Sequence, residues 1–144
     1  MNKGVMGKIL VVDLARGAIR EEAIPDEAYR SVLSGIGLAA WLLYRRIPAG
    51  ADPLGPDNIL AFMSGLLTGS GAWFSGRWMA AAKSPLTGGW GDANCGGTLS
   101  PAIKRCGYDG ILFTGISKKP VYLSIAGGTA ELRDASHLWG LDAI

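Results

Sequence analysis

A chain of 144 residues with 49% hydrophobic content is long enough for one compact domain that buries most of its apolar surface, and one core is expected. Fourteen basic residues against twelve acidic ones give a formal net charge of +2, scattered along the chain instead of gathered in a stripe, which argues against nucleic acid as a partner. Cys95 and Cys106 lack the CxxC spacing of metal or redox motifs and suit a reducing cytoplasm, while the apolar run 9–12 is stopped by Asp13 and is too short for a secretion signal.

In chain order, residues 8–14 and 18–24 are strand-like runs around Ala15-Arg16-Gly17, which predicts a β-hairpin. Pro25-Asp26-Glu27 opens a short helix with Ala28, Val32 and Leu33 as its apolar face, and Ser34-Gly35-Ile36-Gly37 breaks it. Leu38, Trp41, Leu42 and Arg45 recur at helical spacing up to the stop signals Pro48 and Gly50. Residues 58–63 and 78–82 read as buried strands. Ser100 as N-cap with Pro101 at the first helical position predicts a helix over 101–106, stopped by Gly107. Residues 111–114, 121–125 and 129–133 are strand-like, with Gly127-Gly128 turning the last pair. The whole reads as α+β, mainly β-sheet with a few short helices. The uncharged stretch 59–76 approaches the length of a bilayer span, but its glycines, serines and threonine predict buried strand plus loop and no membrane association.

Glycine occurs 22 times, about double its usual share, and five of the ten residues from Gly88 to Gly97 are glycine. Such a loop lets main chain approach a ligand, and a helix start just beyond it offers free amides to an anion. Arg77 and Lys83 lie on the preceding strand and its exit, within reach of a ligand on the loop, and an arginine fork suits a phosphate. Asp92 would repel a phosphate unless a cation lay between them, and Asn94 suits the ligand or a magnesium ion. The loop matches neither the dinucleotide fingerprint nor the phosphate-loop motif, so a purely structural glycine turn stands beside the ligand reading. Lys83 is equally readable as a surface strand end.

The blocks Gly7-Lys8-Ile9-Leu10, Gly35-Ile36-Gly37-Leu38-Ala39-Ala40-Trp41, Asp52-Pro53-Leu54 with Pro56-Asp57-Asn58, Ala81-Ala82-Lys83-Ser84-Pro85-Leu86-Thr87-Gly88, Gly91-Asp92-Ala93-Asn94 and Gly107-Tyr108-Asp109 follow one another as at the N-terminus of the aldehyde ferredoxin oxidoreductase family, which the chain resembles over nearly its whole length. The resemblance implies the first part of a domain, residues 1–144, on which a tungsten or molybdenum bis-pterin lies. The full enzyme it implies oxidises aldehydes to carboxylic acids and passes electrons through a 4Fe-4S cluster to ferredoxin in the cytoplasm, with a homo-oligomer allowed. By position, Arg77 resembles the family arginine between pterin and cluster, and Asn94 the asparagine whose backbone carbonyl meets a magnesium ion bridging the pterin phosphates. Cys95, Gly96 and Gly97 would add backbone contacts.

Ile36 stands where many members carry arginine, so that contact is missing. Two scattered cysteines cannot supply four cluster ligands, and the acid/base groups belong to later domains, so no catalytic residue is expected in this chain. His137 reads as a surface residue, and Cys95 as a small residue packed in a tight loop in preference to a nucleophile. The ending Leu141-Asp142-Ala143-Ile144 is apolar where a free-standing protein would be expected to close with a cap or polar tail, which favours a part of a longer enzyme, inactive alone. The competing reading is a non-catalytic phosphate- or pterin-binding module or small accessory subunit.

Overall fold

The computed structural model describes residues 4–142, so the apolar ending at Ala143 and Ile144 lies outside the described residues. The eight strands are β1 (Lys8–Asp13), β2 (Ala18–Ala23), β3 (Ile59–Ser64), β4 (Trp78–Lys83), β5 (Trp90–Cys95), β6 (Gly110–Thr114), β7 (Val121–Ala126) and β8 (Thr129–Asp134). The helices are α1 (Asp26–Val32), α2 (Ile36–Arg46) and α3 (Leu99–Arg105). Six strands form one mixed sheet in the order β2-β1-β6-β3-β4-β5, with β1 and β6 parallel and the other neighbours antiparallel, while β7 and β8 pair separately. Mainly strands with three short helices is the α+β architecture expected.

The sheet is buried on both faces at its centre, and β1 shows why. Ile9 and Val11 face a core under α1 and α2 that includes Tyr29, Leu38, Leu42, Met63 and Leu112. Leu10 and Val12 face a second core with Ile103, Tyr108, Ile111 and apolar residues of the β7–β8 hairpin. A strand covered on both sides reads as a continuous apolar run, which is the pattern of residues 9–12. Burial fades toward β5, the sheet's edge, where most residues are exposed.

Two elements differ from expectation. The glycine-rich segment 88–97 is not a loop throughout: Trp90–Cys95 pairs residue by residue with β4, and only its ends turn. Backbone pairing overrides the poor strand propensity of glycine here. The third helix begins at Leu99, two residues early, with Thr98 as its cap and no side-chain cap bond. Ser100 does not cap it, because its hydroxyl is engaged elsewhere, and Pro101 is tolerated since amides in the first turn have no helical acceptor. In the stretch 59–76 the strand is buried as expected, but Leu67, Trp73 and Phe74 in the following loop are 56%, 87% and 99% exposed. No helix among the described residues is long and apolar enough to cross a membrane.

Candidate functional site

Arg77 lies one residue before β4, and Asn94 lies on β5 opposite Met79. Paired antiparallel strands therefore carry them to the same corner of the sheet, where Arg77 Nη1 donates a hydrogen bond to Asn94 Oδ1. Both side chains are exposed. Cys95 ends β5 opposite Trp78, and Gly96 and Gly97 lead to α3. A Cβ added at Gly96 or Gly97 would meet no atom within 4 Å, so the main chain there is open to close approach. At Gly97, φ is 92°, a conformation that favours glycine.

Behind this corner the Arg77 carbonyl accepts hydrogen bonds from the Gly65 amide and from the Thr68 and Ser100 hydroxyls. The sequence marks Ser100 as a helix cap and Thr68 as one small residue among several, and neither as a partner of Arg77, because a hydroxyl looks the same in sequence whatever carbonyl it meets.

Other candidates go elsewhere. Lys83 is half-buried and not a surface strand end: its Nζ donates to the Ala51 carbonyl at 2.6 Å and stitches β4 to the 50–58 turn. A cavity of about 590 Å³ lined by Leu43, Tyr44, Ile47, Lys83 and Trp90 opens at that end of β4, away from Arg77. Asp92 accepts a 2.7 Å hydrogen bond from Trp90 Nε1 on the exposed edge. Cys95 is not packed in a tight loop: it is exposed at the end of the edge strand. His137 is exposed as expected. Among the described residues no group of three or more His, Cys, Asp or Glu is placed to hold a metal ion.

Asp109, part of the Gly107-Tyr108-Asp109 block, is fully buried. It accepts from the Met6 and Gly7 amides at 2.8–3.0 Å, from Tyr29 Oη at 2.6 Å and from Lys104 Nζ at 2.5 Å. Lys104 also donates to the Gly4 carbonyl at 2.8 Å. Burial and the adjacent Asp109 carboxylate push the Tyr29 phenol well above its ordinary value. This cluster ties the N-terminal segment, α1, α3 and β6 together, and the sequence offered only the block, not its role.

Residues 9–144 match the family model described as aldehyde ferredoxin oxidoreductase, N-terminal domain. A tungsten-containing aldehyde ferredoxin oxidoreductase of Thermococcus kodakarensis is 42% identical over 137 residues, covering 95% of this chain and 23% of that protein. The WOR-like subunit of an aliphatic sulfonate oxidoreductase from Pyrococcus furiosus is 34% identical over 142 residues, covering 96% and 22%. Among solved structures, a chain of the active-site complex BamBC of benzoyl coenzyme A reductase with 1,5-dienoyl-CoA superposes with a TM-score of 0.94 at 38% identity, covering 97% of this chain and 21% of that one. The chain thus spans less than a quarter of the length of these relatives.

Proposed function

The chain belongs to the aldehyde ferredoxin oxidoreductase family, and from that premise we propose that it is the N-terminal, cofactor-holding part of a longer oxidoreductase carrying a tungsten or molybdenum bis-pterin. The observation that carries this reading is the convergence of Arg77 and Asn94 at the open main chain of Gly96 and Gly97. The donor set fits an anionic, phosphate-bearing group. A guanidinium has five N–H donors, and among the described residues the side chain that Arg77 bonds is Asn94.

In this proposal Arg77 would hold the anionic cofactor by charge-assisted hydrogen bonds, the Asn94 backbone carbonyl would serve magnesium, and the main chain of Cys95, Gly96 and Gly97 would offer contacts to the phosphates. When bound, the group supplies the redox centre at which an aldehyde is oxidised to a carboxylic acid. A 4Fe-4S cluster held by other parts of the enzyme would supply the route for electrons to ferredoxin. Cys95 and Cys106 are two free thiols and cannot make a four-cysteine cluster set, so the cluster ligands and acid/base groups belong to other parts of the enzyme. Free thiols also suit a cytoplasmic setting. Relatives named for aldehyde, sulfonate and benzoyl-CoA chemistry match this same segment at 34–42% identity, which supports a shared cofactor floor with substrate choice made elsewhere.

Arg77→Ala in the full-length enzyme tests the site. Loss of a charge-assisted donor is expected to cost about 1.5–3 kcal/mol, roughly ten- to a hundredfold in cofactor affinity, read as metal and pterin retained per protein. Asn94→Ala is expected to cost less, since alanine keeps the backbone carbonyl. Full retention by Arg77→Ala overturns the assignment.

A further inference from the structure

The side chain of Arg77 meets the site, but its main chain is fixed from behind. Its carbonyl accepts from the Gly65 amide and from Ser100 Oγ, both at 3.1 Å, and more weakly from Thr68 Oγ1 at 3.3 Å, whose single proton is shared with the closer Ser75 carbonyl. Thr68 and Ser100 are 2% and 0% exposed, so the two donors approach the part-buried bonds from the interior side. The β3–β4 ladder ends at the Ser64–Trp78 pair. The Arg77 carbonyl lies one residue beyond that pair, where the Gly65 amide still reaches it and its second lone pair takes a hydroxyl donor.

The hydroxyls supplying that donor belong to a longer chain of contacts. Ser64, fully buried, reaches the Ser100 carbonyl from its Oγ at 3.4 Å, and the Ser64 carbonyl accepts from Ser34 Oγ at 2.8 Å and from the Gly35 amide at 3.1 Å. Thr68 Oγ1 also lies 2.5 Å from the Ser75 carbonyl, so the same hydroxyl holds the loop just before Arg77. The end of β3, the loop 65–77, the first turn of α3 and the start of α2 are thus locked together around one peptide. Small hydroxyls do this with little volume, where apolar side chains would leave the carbonyl held by the Gly65 amide alone.

We propose that Thr68 and Ser100 are positioning residues for Arg77. They fix the peptide from which the guanidinium projects, so that it is already aimed at Asn94 and the open glycine main chain when an anionic ligand arrives. A preorganised arginine avoids the ordering entropy that one on a free loop loses on binding. The inference rests on the reading of Arg77 as a cofactor-holding residue.

The test uses the full-length enzyme purified with its metal, and follows the rate at which metal and pterin leave the protein on dialysis. Ser100→Ala, the near-isosteric Thr68→Val and the conservative Thr68→Ser are made alone and combined with Arg77→Ala. Ser100→Ala and Thr68→Val are each expected to speed release about fivefold, with Thr68→Ser close to the parent. In the Arg77→Ala background neither is expected to add anything, because the residue they act through is gone. If both speed release equally with and without Arg77, their role is general stability and the proposal falls. If both release at the parent rate while Arg77→Ala is faster, the proposal falls and the Arg77 reading stands. If Arg77→Ala itself releases at the parent rate, the Arg77 reading falls and takes this inference with it. Thr68→Val carries the test alone if Ser100→Ala does not fold.

Discussion

Leu33 closes α1 with φ 60° and ψ −123°, a backbone region natural to glycine, and its side chain is 59% exposed. Its amide still reaches the Tyr29 carbonyl at 2.9 Å, so the strain is tolerated for the sake of the sharp turn into α2. Leu33→Gly is expected to stabilise the fold by about 1 kcal/mol, strain relief of roughly 1–3 kcal/mol being offset in part by the freer unfolded chain. A higher thermal midpoint checks this, and a lower one shows that the exposed leucine contributes contacts. The Asp109 cluster makes the opposite kind of prediction. Burial and Asp109 raise the Tyr29 phenol in the folded state, so the unfolded chain ionises first, and the stability held below pH 10 is lost as pH rises past it. Alkaline unfolding above about pH 10 should therefore flatten in Tyr29→Phe, which itself costs about 1–3 kcal/mol by removing one donor from a buried carboxylate. Arg77 and Asn94 were legible in the sequence as a pair. The roles of Tyr29, Thr68, Ser100 and Asp109 were not, because their partners are main-chain groups or side chains up to 103 residues away, and the local signals at Ser100 and Asp109, a cap and a motif block, do not name those partners.

The β1–β2 hairpin, both early helices and the β7–β8 hairpin were readable because alternation, capping signals and glycine turns agree locally. β5 was not, since Gly91 within it and the glycine pairs on either side argue for a loop, and only the β4 ladder makes it a strand. The start of α3 was misplaced for a related reason: Ser100 is a good N-cap in isolation, but it serves Arg77 instead. Between β3 and β4 the stitch is Asn58. Its amide donates to the Pro53 and Lys83 carbonyls at 2.7 and 3.0 Å and its Oδ1 accepts from the Lys83 amide at 3.1 Å, beyond the end of the regular ladder. Asn58→Ala is expected to cost about 2 kcal/mol, with chemical denaturation as the measure. An unchanged midpoint would mean that Lys83 and its bond to Ala51 hold that end of β4 unaided.

At the scale of the molecule, a mixed sheet with two cores presents one corner where a cation, an amide and bare main chain meet. Burial is deep around β1 and β6 and thin toward β5, so this corner sits where another part of a larger enzyme can reach it. Family and fold were legible from motif order. Substrate was not, because the segment shared with relatives of different named chemistry carries no side chain expected to touch it. The isolated chain is accordingly expected to show no aldehyde-dependent reduction of a viologen dye, and turnover by it would mean that the catalytic groups lie within these residues. The central claim, that this domain holds a tungsten- or molybdenum-pterin, is tested most directly by elemental and pterin analysis of the purified full-length protein from cells supplied with both metals. The account predicts tungsten or molybdenum together with pterin in fixed proportion to protein. Protein that is folded and carries neither metal nor pterin would contradict it.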